Sequence, residues 1–235
     1  MDLEVNKPEP IAYTEELDSF QLGMDVQLII AALEAGSPIL IKKVYGDGIA
    51  LLQDVQHYLK EKLPNKSFIE QREFRSAYHK LSNLILLEVV NQKLSAKKSP
   101  TIGWLEKLYP DNNHFCLTLP QIQGLNSAWQ WHINGVSIPV LRNKMYPYYG
   151  TYFPTRFEHL ILFDNWLKHY KGSKKTAIDV GVGCGVLSLQ MVQHGFQKVF
   201  ATDINPNAII GMKEFMGSTK LSRKIELDFG HLFGK

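Results

Sequence analysis

The sequence predicts an α/β protein whose helices come first and whose parallel-strand unit comes last. Three observations carry this prediction. Apolar residues recur at helical spacing in the first half of the chain, and an Asn134-Gly135 dipeptide lies between two extended runs. A strand, a glycine-rich turn, a helix and a second strand then follow one another between Thr176 and Asp203.

The composition is that of a folded domain from a reducing compartment. The chain has 235 residues, of which 45% are hydrophobic and 21% charged, and a formal net charge of +3. Its two cysteines, Cys116 and Cys184, cannot build a disulfide framework. No apolar run is long enough to span a bilayer, and residues 1–4 are acidic where a signal peptide would be basic. We therefore expect a cytoplasmic protein that does not interact with membranes.

Residues 1–112 are predicted to form a helical domain. The spacing of apolar residues predicts helices over residues 17–33, 49–63 and about 67–94. The third has the clearest start, because Ser67 and Glu70 have the spacing of a capping box.

Residues 113–147 are predicted to contain a β-hairpin. Two extended runs, 129–133 and 136–140, flank Asn134-Gly135, a favoured two-residue hairpin turn. His132 alternates with larger apolar neighbours in the first run, so we expect it on the less buried face of a strand.

Residues 148–235 are predicted to form a Rossmann-like unit. Residues 176–180 are apolar and β-branched enough for a buried parallel strand, and Gly181, Gly183 and Gly185 follow it. The next strand, 198–202, ends at Asp203, where a carboxylate can accept hydrogen bonds from both hydroxyls of a ribose.

The spacing of the glycines argues against a dinucleotide. A dinucleotide fingerprint requires a small residue three positions after Gly183, and Val186 stands there. Two plainer interpretations stay open: the glycines could serve only a tight turn, and Asp203 could cap the helix that begins near Pro206. Cys184 has no neighbouring His or second Cys at metal-ligand spacing, so we expect a packing residue and no metal site.

This pattern resembles a known family. Asp179-x-Gly181-x-Gly183-x-Gly185 with Asp203 is similar to the first two motifs of the class I S-adenosylmethionine-dependent methyltransferases. The continuation from Asp203 through Ile204-Asn205-Pro206-Asn207 resembles the small-domain group, which includes the release-factor protein-glutamine methyltransferases and ribosomal-RNA guanine methyltransferases. The resemblance implies S-adenosyl-L-methionine as cofactor and a nitrogen of a protein or RNA as methyl acceptor.

The resemblance also implies a wider set of cofactor-binding residues. The set is Phe153, Arg156, Asp179, Gly181, Gly183, Gly185, Asp203, Ile204 and His231. Phe153 and Arg156, with Glu158, lie in a segment similar to one near the cofactor in the family, although Thr155 separates Pro154 from Arg156. His231 stands where the family commonly has an acid that contacts the adenine.

The sequence leaves the catalytic residues unknown. The family's acceptor motif, an Asn or Asp followed by two prolines and an aromatic residue, does not occur in these 235 residues. We expect three of the family's seven strands, a truncated and incomplete domain with weak activity by itself, and an exposed sheet edge that could pair with another chain. The alternative is a non-catalytic remnant or a partner-binding module.

Overall fold

Two units, each with its own sheet, make up the chain. In the computed structural model, residues 3–63, 67–217 and 220–231 are described. Residues 8–127 form one unit, and residues 128–235 form the other together with the first seven residues. The domain boundaries expected from the sequence, at 112 and 147, stay predictions.

The unit of residues 8–127 is built on a five-stranded sheet. Its strands are β1 (Asp18–Phe20), β2 (Ile39–Ile41), β3 (Ile85–Val90), β4 (Lys93–Leu94) and β5 (His114–Thr118). Its helices are α1 (Val26–Glu34), α2 (Tyr45–Lys62), α3 (Phe68–Ser82), α4 (Gly103–Leu108) and α5 (Leu119–Asn134), whose last residues belong to the other unit. β1, β2 and β3 are parallel, whereas β4 and β5 pair antiparallel with β3.

The expectation of a helical domain over residues 1–112 is wrong about this sheet. β2 and the start of β3 consist of consecutive apolar residues that are buried on both faces. Such runs do not alternate with polar residues, so they cannot be distinguished from buried helix by periodicity. The capping box of Ser67 and Glu70 is confirmed, but the helix it begins ends at Ser82, well before residue 94.

The predicted hairpin at Asn134-Gly135 is also wrong. Residues 129–134 are the last turns of α5, and Gly135 follows with φ of +66° while its amide donates to the Trp131 carbonyl. A glycine in the left-handed region is a common way to end a helix, so the same dipeptide suits either structure. Val136 makes a single antiparallel bridge with Met145.

The C-terminal unit contains the predicted parallel sheet. Its elements are α6 (Glu158–His169), β6 (Thr176–Val180), α7 (Val186–Gln193), β7 (Lys198–Asp203), α8 (Pro206–Gly217), a short 3-10 helix (Lys220–Arg223) and β8 (Ile225–Phe229). The strand order is β6-β7-β8, and all pairs are parallel. The α/β fold class and the three-stranded Rossmann-like unit are therefore confirmed.

One face of this sheet is packed and the other is open. Val199 and Ala201 of β7 are buried in a core with apolar residues of α7 and α8. On the opposite face, Ile178 is 65% exposed and Val180 55%, and their neighbour Phe200 is 39% exposed. Within the described ranges, β6 pairs along one edge only, with β7. Self-association through the other edge stays a prediction.

No helix in the described part of the chain has both the length and the apolar character needed to cross a membrane.

Helices α6 and α7 are joined by polar contacts of two kinds. The buried side chain of Gln190 donates to the Leu160 carbonyl at 2.9 Å. The Asp164 carboxylate accepts from His194 Nε2 at 2.7 Å and forms an ion pair with Lys168 Nζ at 2.7 Å. Hydrogen bonds from Lys168 and His194 lower the pKa of Asp164, so the folded state favours its charged form.

We expect Asp164→Asn to lower the free energy of unfolding by about 1 kcal/mol at neutral pH, because a partly covered charge-assisted contact is lost. Lys168→Gln is the matched control. It removes only the ion pair with the more exposed partner and keeps the contact with His194, so its effect on stability is smaller. A carboxylate with a lowered folded pKa stabilises above its ordinary pKa, and that contribution disappears as the pH falls through the lowered value. Urea titrations from pH 7 to acid test this: a wild-type advantage that did not shrink in acid would contradict it.

Candidate functional site

The glycine loop is anchored at the carboxyl end of β7. The amides of Gly181 and Val182 both donate to the Thr202 carbonyl, at 2.8 and 2.9 Å. Gly181, Gly183 and Gly185 have φ values of +77°, +51° and +87°, a region that residues other than glycine rarely occupy. The loop thus turns back across the end of the neighbouring strand before α7 begins.

The Asp203 carboxylate joins the two strand ends. Its Oδ2 accepts from the Gly183 amide at 2.9 Å, and its Oδ1 accepts from the Asn205 amide at 2.8 Å. The backbone carbonyl of Asp203 accepts from the Gly230 amide at the end of β8. Asp203 therefore fixes the middle of the loop as well as the turn into α8, and it does so from the position predicted for the ribose acceptor.

Two asparagines after Asp203 hold the preceding segment against the site. Asn205 donates to the Gly150 carbonyl at 2.8 Å. The buried Asn207 amide donates to the carbonyls of Tyr149 and Asn6, at 2.9 and 2.7 Å, and accepts from the Asn6 amide at 2.8 Å. The sequence interpretation included both asparagines only as part of a motif and missed Asn6 altogether.

The Tyr152 carbonyl lies directly on the glycine loop. It accepts from the Cys184 amide at 3.1 Å, and a Cβ added to Gly183 would lie 3.0 Å from it. Gly183 is thus required for close approach of the chain's own backbone, in addition to any ligand. Gly181 differs, because a Cβ there would meet nothing within 4 Å and would project into open space.

Asp179 is a buried carboxylate at the end of β6. Its side chain accepts from Ser188 Oγ at 2.6 Å. Burial raises the pKa of Asp179, the Ser188 hydrogen bonds oppose this effect in part, and the charge of Asp203 adds to it. A buried carboxylate needs a hydrogen-bond partner, and Ser188, on the first turns of α7, provides one.

Cys184 is a packing residue in this structure. It is buried within the glycine loop, and burial raises the pKa of its thiol to about 12. A thiol in that state is not a nucleophile at neutral pH.

The remaining predicted residues lie around the loop with less definite contacts. Phe153 is half-buried, with its ring centroid 5.4 Å from that of Trp131, and Arg156 is exposed just before α6. Ile204 is 60% exposed although it is apolar, and His231 is exposed shortly after β8. The contacts of the described residues bring Asp203, Gly183 and the end of β8 together; the roles of the outer residues stay predictions.

Comparisons with known proteins agree with the motifs. The family model for ribosomal protein L11 methyltransferase (PrmA) matches residues 162–231. The L11 methyltransferase of Vibrio parahaemolyticus is 34% identical over 62 residues, which are 26% of this chain and 21% of the relative. That of Acinetobacter baylyi is 41% identical over 49 residues, 21% of this chain and 16% of the relative. The matched segment thus spans about a fifth of the length of these curated relatives.

Among solved structures, the N-terminal domain of human METTL16 in complex with SAH aligns with 58% of this chain and 57% of that chain. The sequence identity is 16% and the TM-score 0.30, and a likeness at that score does not identify a fold.

The narrower resemblance to release-factor and ribosomal-RNA methyltransferases stays a prediction, since the matched family is named for ribosomal protein L11. The broader resemblance is confirmed: residues 162–231 match a methyltransferase family model, and the curated relatives are methyltransferases.

Proposed function

We propose that the C-terminal unit binds S-adenosylmethionine across the glycine loop and serves the transfer of its methyl group. The observation that carries the proposal is the anchored carboxylate of Asp203. A carboxylate has about four lone-pair positions, and two backbone amides use two of them. About two remain, which is what the two hydroxyls of a ribose require.

The other parts of the cofactor have candidate partners nearby. The open space beside Gly181 lets the amino-acid portion approach the main chain, and its ammonium group would favour the charged form of Asp179. The exposed apolar side chain of Ile204 offers a surface for the adenine, with His231 near the end of β8. Phe153 and Arg156 would border the site from the segment before α6.

We propose a nitrogen of a protein or RNA as the acceptor of the methyl group. When bound, S-adenosylmethionine supplies an electrophilic methyl carbon on a sulfonium sulfur. The contribution of this chain would be to hold the donor in one orientation, since such transfers depend chiefly on alignment. The curated relatives are named as methyltransferases of ribosomal protein L11, which supports a protein acceptor. We assign no catalytic residue.

A partner-binding module is the alternative, and the open face of the sheet favours it. Ile178, Val180 and Phe200 present apolar surface that a partner could cover. Calorimetric titration separates the two functions, because a module without cofactor function would release no heat with S-adenosylmethionine.

Gly181→Ala tests the approach of the ligand to the loop. The new Cβ would strain a backbone at φ of +77° and occupy the open side of the loop. Gly195→Ala is the matched control, because Gly195 has φ of +94° and follows α7 at the end away from the loop. A Cβ there would meet only Lys174 Cδ, at an ordinary contact distance of 3.9 Å. We expect both variants to lose about 1–2 kcal/mol of stability and only Gly181→Ala to lose affinity for S-adenosylmethionine. If the Gly181→Ala and Gly195→Ala variants bound S-adenosylmethionine with equal affinity in calorimetry, the proposed position of the ligand beside Gly181 would be refuted.

Asp203→Asn tests the ribose contact while keeping the size of the side chain. We expect affinity for S-adenosylmethionine to fall roughly tenfold to a hundredfold, the loss of about 1.5–3 kcal/mol from a hydrogen-bonded charge. Asp228→Asn, an exposed carboxylate on the adjacent strand β8, is the control. Wild type should also prefer adenosine to dideoxyadenosine in competition, and the Asp203→Asn variant should not. An unchanged preference would exclude the ribose role.

Asp179→Asn should change thermal stability and cofactor affinity in opposite directions at neutral pH. Because the folded pKa of Asp179 is raised, its contribution to stability is present at pH values below the ordinary carboxylate pKa and is lost as the pH rises through the raised value. We therefore expect the variant to gain thermal stability over wild type as the pH rises from about 4 to 7. Its affinity for S-adenosylmethionine should fall at neutral pH, since the ammonium group loses its carboxylate. A constant difference in Tm across this range would contradict the burial effect.

A further inference from the structure

A pocket in the C-terminal unit is lined by aromatic side chains and one carboxylate. Its volume is about 290 Å³. The end of α5, the segment before the glycine loop and the outer part of α8 contribute its lining, which consists of His132, Tyr146, Tyr148, Gly211, Glu214 and Phe215.

The walls of this pocket are held in place. A Cβ at Gly211 would lie 2.4 Å from the Cβ of Tyr148, so the glycine allows the tyrosine to pack directly on α8. Tyr148 is only 6% exposed, whereas Tyr146 at the rim is 49% exposed. His132 Nδ1 lies 3.0 Å from the Pro147 carbonyl, to which it can donate, and this contact orients the ring.

The electrostatics of the pocket favour a cation. Among the lining residues that the structure describes, Glu214 supplies a negative charge, and none is a lysine or an arginine. Burial, with a further effect from the charge of Glu214, raises the pKa of Tyr148 to about 12, so its ring stays neutral. Neutral aromatic rings attract cations to their faces, and a carboxylate adds to that attraction.

We propose that this pocket binds an alkylammonium group, such as the side chain of a lysine or methylated lysine on a partner. The rings of Tyr146, Tyr148 and Phe215 would surround the alkyl and methyl groups, and Glu214 would balance the charge. The pocket shares Tyr146, Tyr148, Gly211 and Phe215 with a smaller void. Gly183 and Cys184 of the glycine loop also line that void. The site does not depend on the proposed function, because it is assembled from other residues.

The test compares choline with neohexanol, its neutral isostere in which carbon replaces nitrogen. Both are titrated into the isotope-labelled full chain and followed by the amide resonances of residues 211–215. We expect choline to bind at least roughly threefold more tightly than neohexanol. Glu214→Gln should weaken choline binding by about threefold to tenfold and leave neohexanol unchanged, and Tyr146→Leu should weaken choline binding as well.

Glu73→Gln is the control, because it removes another exposed helix carboxylate, in the other unit, and should change nothing. Equal affinities for choline and neohexanol would make the pocket merely apolar and overturn the proposal. So would an absence of shifts at residues 211–215, or choline binding that is unaffected by Glu214→Gln. Because Glu214 and Tyr146 are exposed, neither substitution should prevent folding, and the dispersion of the amide spectrum verifies this.

Discussion

The position of the Asp203 carboxylate is the constraint on which the rest of the site depends. β7 ends there, and the side chain immediately accepts from the loop that follows β6 and from the turn that enters α8. Because the Asp203 backbone also accepts from the end of β8, three strand ends are fixed around one residue. A group that binds the same carboxylate would meet a preformed acceptor, and little ordering would be required of the loop.

The fold could be predicted from the sequence where local signals had one meaning. The strand, glycine turn and second strand at 176–203 are specified by apolar runs interrupted by glycines at positive φ, and the capping box at Ser67 requires only local contacts. The predictions failed where a signal had two meanings. Apolar runs such as 39–41 suit a buried strand or a buried helix, and Asn134-Gly135 suits a hairpin or a helix end.

The residues at the centre of the candidate site could be predicted from the sequence. The contacts that hold them in place could not. Asp203 and the glycines lie in one short stretch, so the spacing along the chain reports their proximity. Asn207 bonds to Asn6 across a separation of 201 residues, and no local pattern reports such a contact. The role of Gly183 was likewise understated, since its neighbour is the Tyr152 carbonyl from a segment well before the loop.

The pair formed by Asn6 and Asn207 has a consequence for the order of synthesis. Residues 3–7 belong to the C-terminal unit, although the whole unit of residues 8–127 follows them on the ribosome. The intervening unit can fold first, whereas Asn6 can form its contacts only after Asn207, 201 residues later, has been synthesised. A fragment cut at residue 128 would contain the glycine loop, but it would leave the buried amide of Asn207 without two of its backbone partners.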